Sequence, residues 1–185
     1  MNKPDISRRS FLAKSIAGIA AAAPVAALAP SAAKNAFPTH GEAIAEAMRL
    51  VEDEGCCRVV VSGCDIVSTE RGRGTGPFLR LLDARPDVLR GAVVVDSVVG
   101  TASAAVAVKG GAAKVIARTA SEGAKDVLAR AGIPLEAEVV VPQILNRDMT
   151  GPCPLEAGVA GLTSANDIVA SARRTLSDLR AAQYA

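Results

Sequence analysis

The feature that most constrains the fold is a regular alternation of strand-like and helix-like segments in the second half of this 185-residue chain. Three apolar runs at residues 91–96, 113–118 and 136–141 are separated by segments with helical character at 98–108 and 121–131. Continuous apolar strands that alternate with helices are typical of sheet strands buried on both faces. The last three strands are therefore predicted to be parallel, joined by right-handed crossovers.

The remaining segments complete the predicted architecture. Residues 41–54 have the spacing of an amphipathic helix, and β-rich runs at 57–61 and 65–69 around a short turn indicate a hairpin. Pro77 suits the first turn of another helix, and residues 164–181 are predicted to form a C-terminal helix. The sequence therefore predicts an α/β fold: a three-layer α/β/α sandwich around a five-stranded mixed sheet with an N-terminal β-hairpin.

The first 33 residues are predicted to be a twin-arginine (Tat) signal peptide. Arg8 and Arg9 are followed by Phe-Leu and by a weakly hydrophobic, alanine-rich run at 16–28, and small residues precede a predicted cleavage site after Ala33. The run falls short of the ~20 strongly apolar residues of a spanning helix. We expect export through the Tat translocase, a transient partner, to the periplasm or beyond, with a membrane tether if the signal stays uncleaved.

Removing the signal changes the charge balance of the chain. The 21 Lys and Arg and 19 Asp and Glu fall to 17 and 18 without the signal's four basic residues and one acidic residue. The basic character therefore belongs to the signal and is no argument for a nucleic-acid partner, and the scarcity of aromatic residues also disfavours base stacking. We predict a linker at 34–40 and a single domain at 41–185.

Three polar segments are predicted to meet at the carboxyl edge of the sheet, where ligands of open α/β folds bind near helix N-termini. The first is a glycine-rich run with Arg71 and Arg73, which reads either as an anion cradle or as a solvated loop. The second is Asp96-Ser97, where the aspartate either caps the next helix or acts as a functional carboxylate. The third is the dense polar segment 146–156.

The polar segment 146–156 has two interpretations that the sequence leaves open. In the first, a rigid loop with this set of amide, guanidinium, carboxylate, hydroxyl and thiol side chains preorganises a polar site. Alternatively it is a well-capped connection, in which Asp148 and Thr150 bond their own backbone and Arg147 pairs with Glu156. The predicted catalytic residues are Asp96, Asp148, Cys153 and Glu156. The predicted ligand-binding residues are Arg71, Arg73, Ser97, Asn146, Arg147 and Thr150.

The four cysteines and the single histidine give no strong metal or disulfide pattern. A tight hairpin with Val61 opposite Cys64 would place Cys57 away from Cys64, and no C-x-x-C spacing is present. We therefore predict no metal site and a buried free thiol at Cys57. His40 lies in the predicted linker, which argues against a Cys–His or Ser–His–Asp arrangement.

Three blocks of residues carry a family resemblance over about residues 44–160. They are Glu70-Arg71-Gly72 with Pro77-Phe78-Leu79, then Leu89 to Asp96 with Val98-Val99-Gly100, and finally the motif NRDxTGxCPxE from Asn146 to Glu156. With these blocks the chain resembles a bacterial and archaeal family known only as a domain of unknown function. The order of its elements resembles the cytidine deaminase fold.

The resemblance implies a fold more than an activity. A zinc nucleobase deaminase uses H-x-E on one helix and P-C-x-x-C on the next. The corresponding positions here are Thr75-Gly76-Pro77 and Asp96-Ser97-Val98, which supply neither His nor Cys. The resemblance therefore implies the fold without a deaminase-type zinc site, and it names no other cofactor.

The functional hypothesis is an exported protein that binds a small anionic or nucleotide-like ligand at the carboxyl edge of the sheet, without zinc deaminase chemistry. Arg71, Arg73 and Arg147 would hold the anion. The alternatives are a redox or electron-transfer accessory that uses Cys153, and a non-catalytic interaction module. The sequence leaves enzymatic activity, the ligand and homo-oligomer formation open.

Overall fold

The core of the protein is a single mixed sheet, seen in a computed structural model that describes residues 35–52, 56–72 and 74–183. The strands are β1 (Asn35–Ala36), β2 (Cys56–Ser62), β3 (Asp65–Arg71), β4 (Val93–Val99), β5 (Lys114–Ser121) and β6 (Leu135–Val141). Their order in the sheet is β1-β3-β2-β4-β5-β6. The predictions for Arg8, Arg9, Arg73 and the signal segment 1–33 lie outside the described residues.

In the described part of the chain, six helices accompany the sheet. They are α1 (His40–Glu52), α2 (Gly76–Ala84), α3 (Thr101–Gly110), α4 (Glu122–Arg130), α5 (Pro154–Gly158) and α6 (Ala165–Gln183), and a short 3-10 helix spans Pro86–Leu89. Within the described ranges, none of the helices has the length and apolar character that crossing a membrane requires.

The predicted sheet topology is confirmed. Strands β2 and β3 form the antiparallel hairpin, β4 is antiparallel to β2, and β4, β5 and β6 are mutually parallel. A sixth strand was not predicted: β1 lies inside the expected linker at 34–40 and pairs antiparallel with the edge of β3. The five predicted strands thus form a mixed sheet, and the two-residue strand β1 adds a sixth strand beside β3.

The sheet is buried on both faces at its centre, as the apolar runs predict. On one face, Val93 and Val95 of β4 pack with α1. On the other face, Val94 packs with residues of the remaining helices in the larger core cluster. Side chains alternate between the two faces of a strand, so a strand covered by helices on both sides is expected to carry consecutive apolar residues. The layers are therefore α, β and α.

Helix α3 crosses the middle of the larger core and depends on small side chains. Every residue from Thr101 to Ala107 is buried. At its end, a Cβ atom on Gly110 would lie 2.6 Å from Cδ1 of Leu89, which is fully buried. The alanines and glycines of α3 thus let its backbone approach neighbouring elements closely, which explains the unusual composition of this helix.

The start of α3 differs from its prediction over 98–108. Strand β4 continues past Asp96, and Val98 and Val99 pair with Thr119 and Ala120 of β5. The β-branched side chains of Val98 and Val99 favour this extended pairing. Asp96 therefore lies within the strand rather than at its end.

The hairpin register also differs from its prediction. Ser62 pairs with Asp65 and Val61 pairs with Ile66, so Val61 does not lie opposite Cys64. The turn consists of Gly63 and Cys64, and Gly63 has a φ of 58°. Glycine adopts this left-handed conformation at little cost, which moves the turn one residue along the chain.

Candidate functional site

A cleft of about 560 Å³ lies where β4 runs into α3. The loop before α2 and the segment after β6 form its other walls. Its polar lining residues are Cys57, Arg58, Thr75, Asp96, Ser97, Ser103, Arg147, Cys153 and Glu156. The three segments expected at the carboxyl edge of the sheet all contribute to this lining.

An ion pair between Arg58 and Asp96 is buried in the cleft wall. The two residues lie opposite each other on β2 and β4, with exposed fractions of 1% and 2%. The Arg58 guanidinium donates from Nη2 to Oδ2 of Asp96 and lies 4.1 Å from the ring centroid of Phe78, a cation–π contact. Burial raises the pKa of Asp96, against the opposing effect of Arg58.

Asp96 also makes the local turn that its sequence position suggests. The amide of Val98 donates to Asp96 Oδ1 at 3.1 Å. This is the expected Asx-type bond, although it forms within β4 and not at a helix start. The carboxylate thus faces the cleft while it accepts bonds from both its own strand and β2.

Sequence reasoning missed Arg58. It is the one charged residue in the run Cys57-Arg58-Val59-Val60-Val61, which pairs centrally in the sheet. Arginine is almost never fully buried without a partner, so a charge inside such a run predicts a buried counter-ion. That signal would have linked Arg58 to the carboxylate on the neighbouring strand.

Glu156 joins the first turns of two helices. Its Oε1 accepts from the Thr101 amide at 2.8 Å and from Ser121 Oγ at 3.1 Å, and its Oε2 accepts from Thr101 Oγ1 at 2.7 Å. Ser121 in turn caps α4, because its Oγ accepts from the Ala124 amide at 3.1 Å. The carboxylate at the N-terminus of α3 also complements the helix dipole.

Two glycines make room for this arrangement. A Cβ atom on Gly100 would collide with Oε1 of Glu156, and one on Gly123 would collide with Oγ1 of Thr101. Neither glycine needs a left-handed backbone conformation, so close approach is the reason for glycine at both positions. The geometry assigns Glu156 to holding α3, α4 and α5 together.

The loop after β6 is closed by its own side chains. Asn146 Oδ1 accepts from the Thr150 amide at 2.9 Å, and Asn146 Nδ2 donates to Thr150 Oγ1 at 3.0 Å. The Asn146 amide donates to the Gly151 carbonyl at 2.8 Å. The loop is thus a closed connection, but Asn146 supplies the bond to the backbone, and the expected bonds of the Asp148 and Thr150 side chains to their own backbone do not occur in the described part of the chain. The expected pairing of Arg147 with Glu156 does not occur within the described residues, since Thr101 and Ser121 bind that carboxylate.

The predicted site residues fall into two groups. Those that line the cleft are Asp96, Ser97, Arg147, Cys153 and Glu156. Within the described part of the chain, those outside the lining are Arg71, Asn146, Asp148 and Thr150. Arg71 is exposed at the end of β3, and the neighbouring Gly72 and Gly74 line the cleft, with φ angles of 108° and 70°.

Cys57 and Cys153 are both half-buried in the cleft lining and are not joined by a disulfide. The Cys57 thiol donates to the Glu70 carbonyl at 3.3 Å. Among the described residues, no group of three or more His, Cys, Asp or Glu side chains is placed to hold a metal ion.

Two buried hydroxyls lie in the cleft that sequence reasoning did not select. Thr75 Oγ1 and Ser103 Oγ are 2.9 Å apart, and each residue is only 4% exposed. Thr75 precedes α2, and Ser103 belongs to the first turn of α3. Their common feature in the sequence is a position at a helix start, where hydroxyls usually cap the helix.

The comparisons with known proteins identify the family. The model of a domain of unknown function (DUF1893) matches residues 46–176, so the chain belongs to this family and the predicted resemblance to a family of unknown function is confirmed. The crystal structure of a DUF1893 family protein from Thermotoga maritima is 23% identical, with a TM-score of 0.64. The match covers 74% of this chain and 90% of that one, and it shows the same fold. A search of the curated proteins gives no match.

Replacing Glu156 tests its role in joining the helices. We expect Glu156→Ala to lower the free energy of unfolding by about 2–3 kcal/mol, because the Thr101 amide and two hydroxyls lose their acceptor. Chemical denaturation monitored by circular dichroism measures the change. Glu138→Ala is the matched control, because this exposed glutamate lies 3.9 Å from Arg118 and should change stability by less than ~0.5 kcal/mol. Equal effects of both variants would contradict the assignment.

A double-mutant cycle tests the buried ion pair. We expect Arg58→Met and Asp96→Asn each to cost about 3–5 kcal/mol, since each leaves a buried partner uncompensated, and the double variant to cost clearly less than their sum. The control cycle uses Arg173→Met and Asp83→Asn, an exposed pair joined at 2.6 Å whose coupling should stay within ~1 kcal/mol. Additive costs at Arg58 and Asp96 would show that the two charges do not interact.

Proposed function

We propose that this DUF1893 protein is exported by the Tat pathway and binds a small anionic or nucleotide-like ligand in the cleft at the end of β4. The observation that carries the proposal is the buried Arg58–Asp96 pair in the cleft wall. A buried ion pair contributes little stability compared with apolar side chains of the same volume. A perturbed carboxyl beside a cleft is instead common at functional sites.

The other cleft residues fit the same ligand. Arg147 is exposed in the lining and supplies a forked donor for an anionic group. Gly72 and Gly74 allow the loop before α2 to approach a ligand closely with its backbone. Ser97 and Cys153 add a hydroxyl and a thiol to the lining. Asp96, with its raised pKa, is the candidate for holding a proton in any reaction at this site.

We also propose that the fold is of the cytidine deaminase type, used without the zinc chemistry of that group. The order of helices and strands supports this likeness. The residues at the starts of α2 and α3, Thr75-Gly76-Pro77 and Gly100-Thr101-Ala102, carry neither His nor Cys. The H-x-E and P-C-x-x-C ligand sets of zinc deaminases have no counterpart at these positions.

Thermal unfolding with added ligands tests the binding proposal. We expect uridine 5′-monophosphate or adenosine 5′-monophosphate to raise the melting temperature of the mature protein, because a ligand at 100 times its Kd adds about 2.7 kcal/mol to folding. Arg147→Ala should weaken binding of the monophosphates about tenfold, the loss of one charge-assisted hydrogen bond.

The matched control for this experiment is Arg118→Ala, an exposed arginine of β5 outside the cleft lining, which should bind like the wild type. Equal losses in both variants would contradict binding at this cleft. A melting temperature unaffected by nucleosides and nucleotides, together with a molecular mass in solution that rises with protein concentration, would favour a non-catalytic interaction module instead.

Export is tested by replacing Arg8 and Arg9 with lysine in the full chain. We expect the wild type to reach the periplasmic or extracellular fraction with an N-terminus at Lys34, and the double lysine variant to stay in the cytoplasm. Fractionation with immunoblotting and mass spectrometry of the N-terminus measures both properties. The control replaces the adjacent Arg173 and Arg174 of α6 with lysine, and this variant should be exported like the wild type. Export of the Arg8 and Arg9 variant at wild-type level would contradict the proposal.

A further inference from the structure

The hydroxyls of Thr75 and Ser103 leave one buried hydrogen-bond donor unused. Two hydroxyls carry two hydrogens, and the bond between them uses only one. Within the described residues, no other hydrogen bond joins either hydroxyl to a protein group. Both residues are more than nine-tenths buried, and both line the cleft. A buried donor without an acceptor is unfavourable, so this pair is suited to a ligand atom that accepts a hydrogen bond.

The local structure explains why these hydroxyls are not used as helix caps. The Thr75 side chain makes no capping bond to α2, where Pro77 at the second position has no amide hydrogen to give. Ser103 lies in the first turn of α3, where the amides of Ala102 and Ser103 have no partner within the helix. Hydroxyl and amide donors therefore lie together at what we call the floor of the cleft, formed by Thr75, Ala102 and Ser103.

The charges around the floor disfavour an anion there. The half-buried and buried charges of the lining are one guanidinium, Arg58, and two carboxylates, Asp96 and Glu156. Arg58 is paired with Asp96, and Glu156 already takes the place of an anion at the N-terminus of α3. Even with Asp96 protonated, the Arg58 and Glu156 charges offset each other, so the described buried and half-buried groups of the lining carry no net positive charge. Among the described residues, the remaining cation of the lining is Arg147, which is exposed at the rim.

We infer that the floor binds an uncharged hydrogen-bond acceptor, the carbonyl of an amide or lactam group, and excludes carboxylates and phosphates. Any anionic group of the same ligand would lie at the rim beside Arg147. The inference rests on the proposed function, because it specifies which group of the proposed ligand lies at the floor of the cleft. It also specifies the ligand further: an anionic group without a neutral carbonyl would leave the buried hydroxyl donor unsatisfied.

The test compares benzamide with benzoate, which share a ring and have planar head groups of similar size, a neutral amide in one and an anionic carboxylate in the other. We expect benzamide, titrated into the isotope-labelled mature protein, to shift the amide resonances of Thr75, Ala102 and Ser103. Benzoate should bind the floor at least about fivefold more weakly, and Ser103→Ala or Thr75→Val should weaken benzamide binding about fivefold, as expected for one neutral hydrogen bond. The control is Ser177→Ala, an exposed serine of α6.

Each outcome decides the matter. Two independent variants guard against a local folding defect, since the spectrum of each shows whether it is folded. Benzoate binding at the floor as tightly as benzamide would overturn the inference and make the floor an anion site. If nucleotides stabilise the protein but benzamide leaves the three floor resonances unchanged, the inference fails and the proposed function stands. If the nucleotides also fail to bind, both are wrong.

Discussion

The Glu156 carboxylate is the constraint on which this edge of the fold depends. It lies 55 residues from Thr101 and 35 from Ser121 along the chain, yet it accepts hydrogen bonds from both. The two residues begin or cap α3 and α4, so one side chain fixes the starts of two helices relative to the segment after β6. Glycine at positions 100 and 123 is a consequence, because any larger residue would occupy the space of these bonds.

The buried Arg58–Asp96 pair shows the opposite balance between stability and function. Both charges lose their hydration in the sheet, and their attraction returns that cost only with good geometry and further hydrogen bonds. The Phe78 ring and the Val98 amide supply part of this compensation. The two charges of the pair offset each other, and in our proposal the exposed Arg147 then determines where a negative group of the ligand lies.

The sequence predicted the strands and their order well because their signals are local. The Val-rich run at residues 93–95 of β4 is buried and apolar at consecutive positions, which is the pattern of a strand covered on both faces. The predicted start of α3 was wrong because the spacing of Val98 and Val99 is compatible with a helix or a strand. Their pairing with β5 makes them part of β4. The site was harder to predict, since the roles of Arg58, Thr75 and Ser103 depend on contacts with residues far away in the sequence.

Stability and recognition are separated at this edge of the sheet. Glu156 and the glycines at 100 and 123 form a frame whose bonds are internal, so they affect a ligand only through the position of α3. Thr75 and Ser103 bond mainly to each other and retain a donor for the cleft. If the cleft binds a ligand as we propose, removing one of these hydroxyls changes what binds while the frame remains intact. On this basis we propose that the floor, and not the dense polar segment around Asn146, determines the chemistry of the ligand.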